Sequence, residues 1–182
     1  KEIEKYKRPV KDRKTILIKG FQGRSGRAIP VLKAITILKE QLLNYEIVVF
    51  GSDPQTFNFT NHSSLKSWDN FEILGKISHE DVLKLMGKSL IYIGNSNSDG
   101  MPNTMLEAIC AGAFPIQSNP GGATAEVIQN GVNGLLIEDC DDVEKIKEII
   151  IHVLNNCNFE KTESLNQVEI VPKLRYIKVK NE

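Results

Sequence analysis

Long apolar runs are missing from this sequence: no stretch of 18 residues could cross a bilayer, so no transmembrane segment is expected. Cysteine is scarce. Cys110, Cys140 and Cys157 lie far apart, with no CxxC spacing and no paired histidines beside them. That excludes a zinc ribbon or a disulfide framework and fits a reducing, cytoplasmic compartment. An excess of one charge is missing too, since Lys+Arg and Asp+Glu both number 23. No global field therefore draws in nucleic acid or an anionic membrane, and any basic site must be local.

With 41% hydrophobic and 25% charged residues over 182 positions, the chain can bury one sizeable core. It begins at Lys1 rather than Met, and ten of its first 14 residues are charged. Residues 1–14 therefore read as an exposed lead-in from a longer protein. After them, short apolar runs alternate with helical periods. The strands expected are 15–19, 46–50, 71–74, 90–93, the FPIQS run and 134–137. Helices are expected over 27–43, from Ser78 as N-cap, and in TMLEAICAG, with Gly112 as a left-handed C-cap. One more should open at Asp141, with Glu144 completing a capping box, and run to about 155. Strands alternating with helices predict an α/β fold: a doubly wound, mostly parallel, six-stranded Rossmann-like sheet over 15–157 with helices on both faces. Residues 54–70 carry no clear signal, and 158–182 fit a strand or a short helix equally.

Six such strands most often order 3-2-1-4-5-6, leaving a crevice beyond the ends of the first and fourth. The two loops there are the most unusual segments. The first, GFQGRSGR (20–27), spaces its glycines G-x-x-G-x-x-G, which matches neither the dinucleotide fingerprint nor the P-loop. Gly20 lets a ligand approach the backbone, and Arg27 opens a helix that has no acid in its first turn. An anion bound there would turn an unfavourable cation–dipole pairing into a favourable one; a solvated surface arginine is the alternative. Arg24 and Lys19 are weaker candidates of the same kind. The second loop, GNSNSDGMPNTMLE (94–107), delivers a helix start whose amides at Asn103, Thr104 and Met105 suit a phosphate. Glu107 fits either a capping box with Thr104 or a ribose diol.

The stretch SDGMPNTMLEAICAGAFPIQSNPGG, then Glu126, then GVNGLLIED, resembles the C-terminal half of retaining GT-B-fold glycosyltransferases of the group 1 family. The likeness runs more loosely over 15–155. It implies a donor-binding domain for a nucleoside-diphosphate sugar, an acceptor (saccharide or lipid-linked) held by an N-terminal domain, and no metal or other cofactor. It also implies a cytoplasmic enzyme, with peripheral membrane placement as the variant. The family's Glu-x7-Glu signature falls on Asp99 and Glu107. Glu107 is thereby assigned to the donor ribose, and Asp99, one methylene shorter than the family's glutamate, to the donor sugar. A plain turn at Asp99-Gly100 is the other reading. Gly100, Met101, Asn103, Thr104 and Met105 line the same loop, while Lys76 and Ile77 resemble the loop that meets the base. Gly121 and Gly122 allow close approach of the sugar, and Glu126 orders its helix. Phe21 stands where the family's phosphate-binding arginine falls, with Arg27 as substitute for the nearby lysine. Two other readings remain open: a nucleotide-sugar epimerase of the same architecture, and a binding module using Asp53 for ribose. Asp139-x-Asp141 as a metal site is disfavoured by the capping role expected of Asp141.

Overall fold

The computed structural model describes residues 3–98 and 100–174. The second part of the tail, including 175–180, and Asp99 lie outside the described residues. Six parallel strands form one sheet in the order β3-β2-β1-β4-β5-β6. They are β1 (Thr15–Lys19), β2 (Glu46–Phe50), β3 (Phe71–Ile73), β4 (Ser89–Gly94), β5 (Phe114–Ser118) and β6 (Leu135–Ile137). Between them run α1 (Ala28–Ile37), α2 (Pro54–Asn61), α3 (His79–Lys88) and α4 (Asn103–Ala111), and α5 (Val143–Asn156) follows β6.

Alternation along β1 sorts the core into two layers. Ile16 and Ile18 join Val31, Leu32 and Ile35 of α1 and Ile146 and Ile150 of α5 on one face. Leu17 joins Met86 of α3 and Met105 and Ile109 of α4 on the other. The central strands are buried on both sides, which is why they read as continuous apolar runs. The helix expected over 27–43 is shorter: α1 ends at Ile37 and a 3-10 turn, Lys39–Leu42, replaces its last part. The unassigned stretch 54–70 holds α2, capped by Asp53 with Pro54 in its first turn. Gly112 ends α4 at φ 86, as expected.

Three expectations are corrected. Asp142, not Asp141, caps α5 by accepting from the Lys145 amide. Thr104 does not form a capping box with Glu107, because the α4 N-cap is Pro102 and no side chain caps it. The lead-in is not simply exposed. The Arg13 side chain is 1% exposed and sits at the amino edge of the sheet. It donates to the carbonyls of Arg8 and Gly112 and meets Glu163 of α6 (Phe159–Leu165), which also pairs with Lys7. The tail up to Leu174 is helical: α6 runs into a π-helical turn, Asn166–Ile170. This segment spans both layers, with Phe159 packing edge-on against Phe114 and Val171 in the second core.

Candidate functional site

The order of the strands puts the reversal of direction between β1 and β4, and the loops that follow them are hydrogen-bonded together. The Arg27 amide donates to the Asn95 carbonyl (2.9 Å), the Asn97 amide donates to the Ser25 carbonyl (2.9 Å), and Gly26 pairs with Ser96. The Asn95 carboxamide donates to the carbonyls of Arg27 and Cys140, drawing in the loop after β6 as well. Residues 20–27 and the loop leading to α4 thus share one edge of the sheet. A small cavity of about 30 Å³ at this junction is lined by Lys19, Phe21, Ser25, Gly26, Asn95, Ser96 and Gln117. The buried oxygens Asn95 Oδ1 and Gln117 Oε1 lack hydrogen-bond partners among the described residues. A wider groove of about 510 Å³ lies away from the junction, along β3 and α3; of the candidate residues it takes in Ile77.

Several donors expected in the first loop are already occupied. The Gly20 amide bonds the Phe50 carbonyl and its own carbonyl accepts from the Thr56 hydroxyl, so Gly20 does not offer its backbone to a ligand. At the start of α1, Gln22 Oε1 accepts from the Ile29 amide (2.7 Å) and Pro30 has no amide to give. The phosphate cradle expected at this helix start therefore lacks the amides of positions 29 and 30, and the Arg27 side chain is its cation. Its Nε pairs with Asp141 Oδ1 at 3.2 Å and its Nη1 reaches the Gly26 carbonyl. Arg24 is exposed, and Lys19 is half-buried at the end of β1.

Asp53 holds the glycine loop in place. One carboxylate oxygen accepts from the amides of Gln22 and Gly23, and the other from the amide and hydroxyl of Thr56. All the acceptor capacity seen here faces the protein, which argues against Asp53 as a ribose ligand. Burial pushes this carboxyl up, but the bonds from Thr56, Gln22 and Gly23 outweigh it and hold it below the usual aspartate range. Its stabilising contribution is complete above the unfolded carboxylate pKa, ~3.9. It is lost as pH falls through the lower folded value. Asp53→Ala is expected to cost about 1–2 kcal/mol through the lost cap. Thermal unfolding between pH 7 and pH 3 is the check, and the difference from wild type should shrink at the acid end.

The second loop is more open. A Cβ on Gly100 would meet nothing within 4 Å, and Met101 is half-buried against the second core. The first-turn amides of Asn103 and Thr104 have no intrahelical carbonyl to reach, and Pro102 supplies no side-chain cap. The Met105 amide donates to the Pro102 carbonyl, and its side chain is core, so Met105 does not contribute a free donor. The Thr104 hydroxyl bonds Tyr92 Oη at 2.9 Å. Gly121 (φ 84) and Gly122 (φ 87) take left-handed backbone with open space where a side chain would stand. Exposed Glu126 ends a 3-10 turn, Ala123–Glu126. Lys76 is exposed and Ile77 half-buried on the strand exit before α3. Glu107 is met by His79 at 2.8 Å, a partnership across two helices that no local pattern shows.

Asp139, Cys140 and Asp141 bring three possible metal-ligand atoms within 4.8 Å of one another. Their pairing habits suit other tasks: Asp141 takes Arg27, and Asp139 accepts from the Asp141 amide. Burial pushes the Cys140 thiol up, and Asp141 adds to this against the pull of Arg27, so the thiolate is disfavoured.

In doubly wound sheets ligands bind in the crevice at the point where the strand order reverses, and the loops described here gather at that point. The chain belongs to the family Glycosyl transferases group 1, which it matches over residues 1–168. It is 31% identical over 125 residues to an uncharacterized glycosyltransferase of Methanocaldococcus jannaschii, covering 68% of this chain and 31% of that protein. The chain thus spans about a third of that relative's length. Its fold is that of a GT-B C-terminal domain. It superposes on the C-terminal domain of a glycosyl transferase group 1 family protein, LpcC of Francisella tularensis, with TM-score 0.72 and 19% identity, covering 87% of this chain and 84% of that one. It also resembles the pneumococcal O-GlcNAc transferase GtfA, solved with UDP and GlcNAc (TM-score 0.71, 20% identity, 92% and 36% covered).

Proposed function

We propose that this chain is the donor-binding half of a hexosyltransferase that moves a sugar from a nucleoside diphosphate to an acceptor hydroxyl with retained configuration. The observation that carries the reading is the hydrogen-bonded meeting of residues 25–27 with residues 95–97 at the sheet's point of reversal. From there the chain leads into the uncapped start of α4. As the glycosidic bond breaks, negative charge grows on the leaving diphosphate. The Asn103 and Thr104 amides and the Arg27 guanidinium are the groups that would meet it, an electrostatic contribution fixed before reaction. Arg27 must exchange Asp141 for phosphate to do so. Asp99 would face the sugar, Glu107 the ribose, and Lys76 with Ile77 the base. The account needs no divalent ion or other cofactor. The GtfA complex with UDP and GlcNAc supports a nucleotide-sugar donor. A saccharide or lipid-linked acceptor would lie against an N-terminal domain, so the chain by itself should bind donor and turn over nothing. No described helix is long and apolar enough to cross a membrane, in keeping with a cytoplasmic site of action.

Thermal shift and calorimetry with UDP-, GDP- and ADP-sugars test this. A ligand at a hundredfold excess over Kd should add about 2.7 kcal/mol. Arg27→Ala should weaken the preferred donor by about tenfold, the size of one charge-assisted hydrogen bond. Silence across all three donors, or sugar transfer by this chain alone, contradicts the proposal.

A further inference from the structure

We infer that His79 is a positioning residue for Glu107 and so sets how strongly this chain distinguishes a ribonucleotide from its 2′-deoxy counterpart. The inference rests on the reading of Glu107 as the ribose acceptor. His79 begins α3 and Glu107 lies in the second turn of α4, the two helices packing side by side on the second face. His79 Nε2 stands 2.8 Å from Glu107 Oε1. An ionised carboxylate has no hydrogen to give, so Nε2 carries the proton and donates.

Neither residue is needed where it stands for its own helix. The start of α3 is capped by Ser78, whose hydroxyl accepts from the Asp81 amide, and the start of α4 lies at Pro102. The other charges at the head of α3 are satisfied among themselves: Lys84 bridges Glu80 and Asp81, and Tyr6 donates to Glu80. Lys76 is exposed just before it. The His79 side chain is 65% exposed and that of Glu107 29%, and exposed ion pairs add little to stability. What the contact does is hold one carboxylate oxygen. Glutamate otherwise samples many rotamers, and a carboxylate held in one of them meets an incoming diol without first being ordered. With Oε1 fixed on α3, Oε2 is left to accept from ribose hydroxyls.

The test is calorimetry on the full chain with UDP, GDP and ADP, each beside its 2′-deoxy form, for wild type, His79→Ala, His79→Gln and Glu107→Gln. Wild type should prefer the ribose form. His79→Ala should narrow that ratio by about three- to tenfold, the range of one net hydrogen bond. It should do so with an unchanged thermal midpoint and a smaller loss of affinity for the deoxy nucleotide, which keeps only the 3′-hydroxyl. His79→Gln, which keeps a donor near the same place, should restore most of the ratio. An unaltered ratio in His79→Ala, with Glu107→Gln reducing it, overturns the role of His79 alone. An unaltered ratio in Glu107→Gln overturns the ribose reading and this inference with it. If wild type binds none of the nucleotides, the donor-binding function itself falls.

Discussion

Arg13→Ala is expected to lower the stability of this domain by about 3 kcal/mol, the combined effect of leaving a buried and a part-buried carbonyl without their donor and weakening a half-buried ion pair. The guanidinium, itself buried, supplies donors to a buried carbonyl at Gly112 and a part-buried one at Arg8 and touches Glu163. Lys7 stays on Glu163 in the variant, so the acid keeps one cation and the loss falls mainly on the two carbonyls. For a chain of this length the thermal midpoint should drop by roughly 6–12 °C. Arg13→Lys should recover only a fraction, because an ammonium cannot span three acceptors in the plane of a fork. A denaturant midpoint equal to wild type for Arg13→Ala would show that the lead-in and α6 do not brace the sheet.

A second large effect is expected at Gly26. A Cβ there would lie 2.0 Å from the Phe21 carbonyl oxygen, a backbone atom that cannot swing aside. Gly26→Ala must therefore reopen the loop where it pairs with Ser96, with an overpacking cost of about 1–3 kcal/mol. Arg27 follows directly and takes its bearing from the same loop, its amide bonded to the Asn95 carbonyl. Donor binding should weaken accordingly, by about tenfold for each 1.4 kcal/mol of displacement carried into the complex. Gly100→Ala is the matched control for stability, since its Cβ would meet open space. Equal melting of Gly26→Ala and Gly100→Ala would contradict the packing argument, and equal donor affinity of Gly26→Ala and wild type would separate the loop from the site.

The sheet was readable because its signal is local and repeated. Runs such as TILIK and EIVVF are largely buried, so the strands follow from apolar pattern, while their order is the commonest one for six such strands. Capping was readable only to within a residue. Asp141 and Asp142 are adjacent and chemically identical, and pattern alone cannot say which one reaches the Lys145 amide. The pairings within the site were not readable. Gln22 with Ile29 looks like any loop glutamine, and Asp53 reaches back across 30 residues to the glycine loop. His79 with Glu107, and Arg27 with Asp141, join helices and loops that only the folded sheet brings together. Arg13 was hidden for a different cause: nine charged neighbours in a charge-dense opening mask one arginine that is buried.

The Asn95 carboxamide bears on how fast a ligand is captured. Because one side chain laces three connections into a single rim, the mouth of the crevice has its shape before anything enters. Arrival then requires little freezing of flexible chain, and capture should run at a rate set by encounter and orientation rather than by waiting for a gate to close.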